Sequence, residues 1–282
     1  MKKKRKISLL IAGVLGSVFI LLFFLVSCRV DHTPYFKSTY YQKTENRLDS
    51  LTKKRTISTD FVEAGFSKVS ITPSVGHSQD SMEVGQFKEA PLAGFGARKG
   101  KSATGTHDSI FVKAAAIKVG PQLVVIVGAD ILIMPPNIID EVTLLLEKKG
   151  IHRNQVFYSA SHTHSSIGAW GPGFIGEQFA GKSNPKINQW LVRQIAQAVT
   201  LAISDLKPAL IGNGFFNAAS YTRNRLVGEQ GTKNNDFNFI SIQQKGGRKA
   251  VIGSFGAHAT TIGADNMQFS ADYPGYWQRK ME

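Results

Sequence analysis

Cysteine is nearly absent: the 282 residues contain one, Cys28. No intramolecular disulfide can form, so the folded part must be held by its own core. Acidic residues are scarce, with 20 Asp and Glu against 34 Lys and Arg, and the formal net charge is +14. Internal repeats are lacking, as is any low-complexity tract beyond the first residues, which removes solenoid and fibrous architectures. No nucleic-acid-binding motif accompanies the positive charge, so nucleic acid is not the expected partner.

What is present begins with a cationic block, Met1-Lys2-Lys3-Lys4-Arg5-Lys6, followed by an apolar run from Ile7 through Val26. Positive charge before an apolar segment holds that side in the cytoplasm and directs the rest across the membrane. The run approaches the ~20 residues that span hydrocarbon. It ends in Leu25-Val26-Ser27-Cys28, which resembles a bacterial lipobox. Residues 1–28 are therefore expected to be a lipoprotein signal or an uncleaved transmembrane anchor. Either leaves the remainder membrane-anchored and extracytoplasmic. Five of the positive charges lie in residues 2–6, and the +9 that remains would favour an anionic membrane surface.

Residues 29–60 read as a juxtamembrane spacer with a short helix around residues 42–52. The domain proper is expected over 61–282. Alternation in 65–72 and apolar runs at 110–119, 123–129, 155–160, 210–216, 237–243 and 250–255 predict strands. Val124–Val127 is nearly all β-branched and is expected to be buried. Helical spacing predicts helices from Pro135-Pro136 to Gly150 and over 187–206. Residues 74–108 are rich in Gly, Ser and Lys and read as a long loop of the kind that often lines a site. The fold class is α/β, a mixed, mostly buried sheet with packed helices.

The most informative segment is Tyr158-Ser159-Ala160-Ser161-His162-Thr163-His164-Ser165. A strand runs into a His-x-His pair and then a glycine-rich loop. In an extended chain, residues i and i+2 project to one side, so two imidazoles would stand together at a strand end. Neutral imidazole is a preferred zinc ligand. A third histidine, His258, also follows an apolar strand, and strand ends on one rim converge. His107-Asp108 reads as a turn or a supporting pair.

In order along the chain stand Ser67-Lys68-Val69-Ser70-Ile71-Thr72-Pro73, Pro91-Leu92-Ala93-Gly94-Phe95, His107-Asp108, Ala160-Ser161-His162-Thr163-His164-Ser165, Asn224-Arg225, Ala257-His258-Ala259-Thr260 and Ser270-Ala271-Asp272-Tyr273-Pro274-Gly275-Tyr276. This order resembles the neutral/alkaline (non-lysosomal) ceramidase family, from about residue 64 to the C-terminus. The resemblance implies a zinc amidohydrolase that cuts the amide of ceramide into a sphingoid base and a fatty acid. His162 and His258 would bind Zn2+, and His164 would contact substrate or the reacting oxygen. Arg223, with Arg225 as the alternative, would lie near the scissile amide.

Two departures stand out. Ser165-Ser166-Ile167-Gly168 displaces the glycine that the family places soon after His-Thr-His-Ser. The family's glutamate and tyrosine zinc ligands, and its serine, would fall beyond residue 282. The resemblance therefore implies an incomplete catalytic domain that binds zinc weakly, with His164 or Asp130 as substitute ligands; Ser270 is not assigned as a nucleophile. A metal-dependent hydrolase of another amide or ester, and a tethered, non-catalytic binding protein with a degenerate metal site, remain as alternatives.

Overall fold

A computed structural model describes residues 2–26, 33–53 and 58–282. The chain divides into two units, Met1–Ile57 and Ser58–Glu282.

The first unit contains α1 (Lys2–Val26) and α2 (Thr39–Lys53). Within α1, Lys6–Phe24 has a mean hydropathy of 2.7 and is long and apolar enough to cross a membrane; a signal sequence has the same character. The helix expected near residues 42–52 is α2, which starts about a turn earlier. Cys28, on which the lipobox reading depends, lies outside the described residues.

The second unit is built on a seven-stranded mixed sheet. Its elements run β1 (Val62–Ser70), β2 (Ser74–Val75), β3 (Gln86–Phe87), β4 (Gly105–Thr106), β5 (Phe111–Val119), β6 (Gln122–Ala129), α3 (Pro136–Glu147), β7 (Val156–Ala160), α4 (Gly173–Ala180), α5 (Pro185–Ser204), β8 (Lys207–Asn217), β9 (Asp236–Gln244), β10 (Lys249–Ser254), β11 (Gln268–Phe269) and α6 (Asp272–Met281). The large sheet has the order β10-β9-β8-β1-β5-β6-β7. All its pairings are antiparallel except β6–β7, which α3 connects as a crossover.

One face of β1, β5 and β6 is covered by α3 and α5. Pro136 starts α3, where a fixed φ and a missing N–H cost nothing, and Ile138, Val142 and Leu146 form its buried stripe. Asn184 caps α5 by accepting the Lys186 backbone N–H at 2.9 Å. Small residues bring α5 close to β1: a Cβ at Gly65 would lie 2.2 Å from the Ala202 carbonyl, and the Ser67 hydroxyl donates to the Ala198 carbonyl at 2.7 Å. Val125 and Val127 are fully buried here, but Val124 is 46% exposed. Burial of the whole β-branched run is thus corrected, because successive side chains alternate between faces and the helices cover only one.

The other half of the sheet behaves differently. β8 meets β1 through two residue pairs only, Glu63↔Pro208 and Ala64↔Lys207, and then departs with β9 and β10 as an arm. This arm folds back over the face of β1 and β5 that the helices leave open. Ile242, Ile240 and Ile252 pack against Ala64, Phe66, Ala115 and Ile117 in a small second core. Much of β8 stays open, including Leu210 and Phe215.

Candidate metal centre

The parallel pair β6–β7 sets the first histidine. Beyond β7, the Ser161 N–H donates to the Ala129 carbonyl at 2.9 Å and the His162 N–H to the Ile131 carbonyl at 3.1 Å. The His162 ring places Nδ1 2.7 Å from the Leu132 carbonyl, which directs Nε2 away from the backbone. The chain is not extended at this point, because His162 has φ 61°. The i, i+2 argument is therefore replaced by a left-handed turn, a conformation that costs a non-glycine residue on the order of 1 kcal/mol. Such strain is kept where the surroundings over-determine it, and here three consecutive backbone and ring contacts do so.

His164 is held from several sides. Its ring lies 4.8 Å from that of Phe95, and its N–H donates to the Ala259 carbonyl at 3.3 Å. Its carbonyl accepts from Arg98. Gly94 permits this packing: with φ +116°, it would place a Cβ 2.6 Å from His164 Cα. Thr163 is fully buried and donates its hydroxyl to the Ser270 carbonyl at 2.8 Å.

His258 arrives by a route the pattern of strands does not suggest. Its strand, β10, lies at the sheet edge opposite β7 and, by the pairing directions, runs the opposite way. Convergence of neighbouring strand ends is therefore not the cause. The folded-back arm carries residues 255–262 over to His162 and His164. There Tyr273 donates its hydroxyl to the Ala257 carbonyl at 2.6 Å. Asp272 accepts from the Ile262 N–H at 2.9 Å and from the Thr261 hydroxyl. An aromatic series, Phe216–Phe237–Phe255–Tyr273, links the arm to this loop.

The three rings form one cluster. Centroids of His162 and His258 are 4.6 Å apart, those of His164 and His258 4.7 Å, and those of His162 and His164 5.1 Å. The Nε2 atoms of His164 and His258 are 2.9 Å apart. One ligand nitrogen from each residue lies within 4.8 Å of the others. Zinc–imidazole bonds of about 2.0–2.1 Å around one tetrahedral ion require nitrogens about 3.4 Å apart. The closest pair thus needs to open by about 0.5 Å and the widest to close by no more than about 1.4 Å. Nδ1 of His164 is buried without a hydrogen-bond partner, a state that calls for an explanation in a native structure. Burial, followed by the neighbouring His258 and His162, lowers the His164 pKa to about 4, and burial and His162 lower that of His258. The lowered values keep His164 and His258 neutral and lone-pair-bearing, as ligands of a divalent cation must be.

The other candidate residues separate. Arg223 and Arg225 are both exposed, and the Arg225 charge is close enough to help lower the His258 pKa. Asp130 is 2% exposed and committed elsewhere: it accepts from the Phe111 N–H at 3.0 Å and from Gln278 at 2.9 Å, and burial raises its pKa. The Ser270 hydroxyl donates to Asp108, which also accepts from Arg279 at 3.0 Å. Asp108 thus anchors the segment behind the cluster, while His107 is exposed.

Arg98 escaped the sequence reading. It is 4% exposed and, among the described residues, has no carboxylate partner. Its guanidinium donates to the carbonyls of His164, Gly263 (3.3 Å) and Ala264 (3.2 Å) and to the Ser165 hydroxyl (3.2 Å). It thereby ties the His-x-His segment to the loop that follows His258. Flanked by Lys99 and Lys101 in a Gly- and Lys-rich stretch, it carries no local sign of burial.

No family model and no curated protein matches the chain. Among solved structures it is similar to a ceramidase complexed with C2, with TM-score 0.62 and 21% identity over 79% of this chain and 36% of that one. It is likewise similar to the neutral ceramidase from Pseudomonas aeruginosa, with TM-score 0.62 and 20% identity over the same shares. The chain spans little more than a third of the length of these structures. The likeness is one of fold: the chain carries a ceramidase-like, mixed α/β domain.

Proposed function

We propose that this domain is a metal-dependent amidohydrolase, with zinc held by His162, His164 and His258, acting on the N-acyl amide of ceramide or a similar lipid amide. The observation that carries the reading is the three-histidine cluster on a ceramidase-like fold. A catalytic zinc site commonly has three protein ligands and one open position. His164 enters as a third ligand because its Nε2 lies 2.9 Å from that of His258 and its ring is held neutral, although the family resemblance assigns it to the substrate. Bound zinc supplies Lewis-acid polarisation of a carbonyl and a lowered pKa for water.

The chain's own residues contribute the rest. His258 is exposed, so the cluster is open to solvent and substrate on that side. Hydrolysis adds water across the acyl C–N bond: oxygen joins the acyl carbon, that bond breaks, and the amine leaves with a proton. The developing oxyanion needs a cation or donor. Arg225 is the better candidate because its charge already reaches His258, with Arg223 second. The apolar helix α1 fits a domain tethered to a membrane on its extracytoplasmic side.

The test is zinc content and fatty-acid release from ceramide by the zinc-loaded full chain. His162→Ala and His258→Ala should each lower both. His164→Ala should lower zinc as well; loss of turnover with zinc unchanged would make His164 a substrate contact and not a ligand. Wild-type turnover by the His162→Ala and His258→Ala variants would remove the assignment.

A further inference from the structure

The helix α4 leaves its three large apolar side chains uncovered among the described residues. Phe174 is 79% exposed, Ile175 73% and Phe179 52%. Large apolar side chains grouped this way mark an interaction surface, whereas single ones do not. The helix is firmly seated from below. Gly171 and Gly176 pack backbone to backbone, and Ala180 is fully buried. The Phe179 carbonyl accepts the Gly94 N–H at 2.8 Å. The crest is therefore fixed in place with its apolar side outward.

Cations border it. Gly100 and Gly181 are in backbone contact, a Cβ at Gly100 lying 3.0 Å from Gly181 Cα. This brings Lys99, Lys101 and Lys182 around the end of α4. All three are exposed, and among the described residues none forms an ion pair. Glu177 is the only acid on the helix. A short apolar crest ringed by unpaired lysines matches the boundary of a bilayer, with side chains entering the acyl region and ammonium groups at anionic headgroups. The chain's net charge of +14 and the apolar α1 favour a bilayer over a second copy of this cationic chain.

We propose that α4, with Lys99, Lys101 and Lys182, docks the domain onto a membrane surface rich in anionic lipid. Gly94 contacts both α4 and His164, so docking would set the histidine cluster close to the lipid surface. Only that consequence, delivery of a lipid amide from the bilayer, rests on the hydrolase reading. The docking itself does not.

The test is hydrogen–deuterium exchange of the full chain in nanodiscs of phosphatidylcholine, with and without phosphatidylglycerol. Amides of residues 173–181 should exchange about tenfold more slowly in the anionic discs, an amount typical of a modest change in opening free energy. The difference should vanish in F174S/I175S/F179S and shrink in K99Q/K101Q/K182Q. Exchange in β6 should stay unchanged in both variants, which shows that the fold is kept. Equal exchange in the two kinds of disc would overturn the proposal. So would protection that rises with protein concentration instead of lipid charge, because a second copy would then be the occupant. Neither result would bear on zinc content or on hydrolysis of a soluble amide.

Discussion

The two regions that meet at the histidine cluster are built in opposite ways. The β5–β6–α3–β7 region is a layered α/β unit, with helices on one face and a parallel strand pair whose ends hold His162. The β8–β9–β10 arm is a hairpin-rich extension, attached to β1 through two residue pairs and packed through a small isoleucine-rich core. The first region places its histidine by continuous burial. The second places His258 through a loop fastened by Asp272, Tyr273 and Arg98. The difference teaches that a site can join a rigid half to a fastened half, and that the fasteners then matter as much as the ligands.

The largest effect is expected where the rigid half touches the site. Gly94→Val adds a side chain at φ +116° against the His164 backbone, which cannot yield as a flexible side chain can. It should cost about 3 kcal/mol or more, read from the urea midpoint. A variant as stable as the wild type would mean that His164 is not packed as described.

The rigid half also predicts asymmetry within one strand. Val125→Ala empties part of the main core and should cost about 2 kcal/mol, while Val124→Ala on the open face should cost under about 0.5 kcal/mol. Equal costs would mean that the arm or another element covers Val124. In the fastened half, Tyr273→Phe removes one hydrogen bond and should cost about 1 kcal/mol. It should also weaken zinc binding, because Ala257 precedes His258. An unchanged zinc affinity would separate the fastener from the site.

The last effect, a slope instead of a single cost, concerns pH in the metal-free chain. Burial and the neighbouring His258 and His162 hold the His164 pKa at about 4, below the 6.5 of a free imidazole. The unfolded chain therefore takes up the proton first, and stability is full above about pH 6.5 and falls as pH drops toward 4. Denaturation midpoints across this window should show a slope that His164→Gln reduces. An identical slope in the variant would assign the pH dependence elsewhere.

The layered region was largely legible because its signals are local. Apolar runs around Gly120-Pro121, helical spacing after Pro135-Pro136 and helical spacing over 187–206 each dictate their own element; the Asn184 cap and Pro185, which begin that last helix two residues earlier, were not read. What escaped is long-range. Phe174, Ile175 and Phe179 in a glycine-rich stretch looked like loop, since packing of Gly171 on Gly176 seats that helix and no local propensity does. Arg98 is buried by carbonyls from segments about 66 and 165 residues away. His258 was rightly grouped with His162 and His164 in space, but for a reason that the strand directions contradict. The folding back of the arm depends on Ile240, Ile242 and Ile252 meeting β1 and β5, which no pattern within β9 or β10 reveals.

The central claim is that these two halves together make one metal site. Zinc titration of the metal-free full chain, with bound metal measured by mass spectrometry and affinity by competition with a chelating dye, tests it most directly. The account predicts one zinc per chain, with a large loss of affinity in each of His162→Ala, His164→Ala and His258→Ala. Two of these lie in the rigid half and one in the fastened half. Undiminished zinc in His258→Ala would contradict it, because the site would then belong to one half alone.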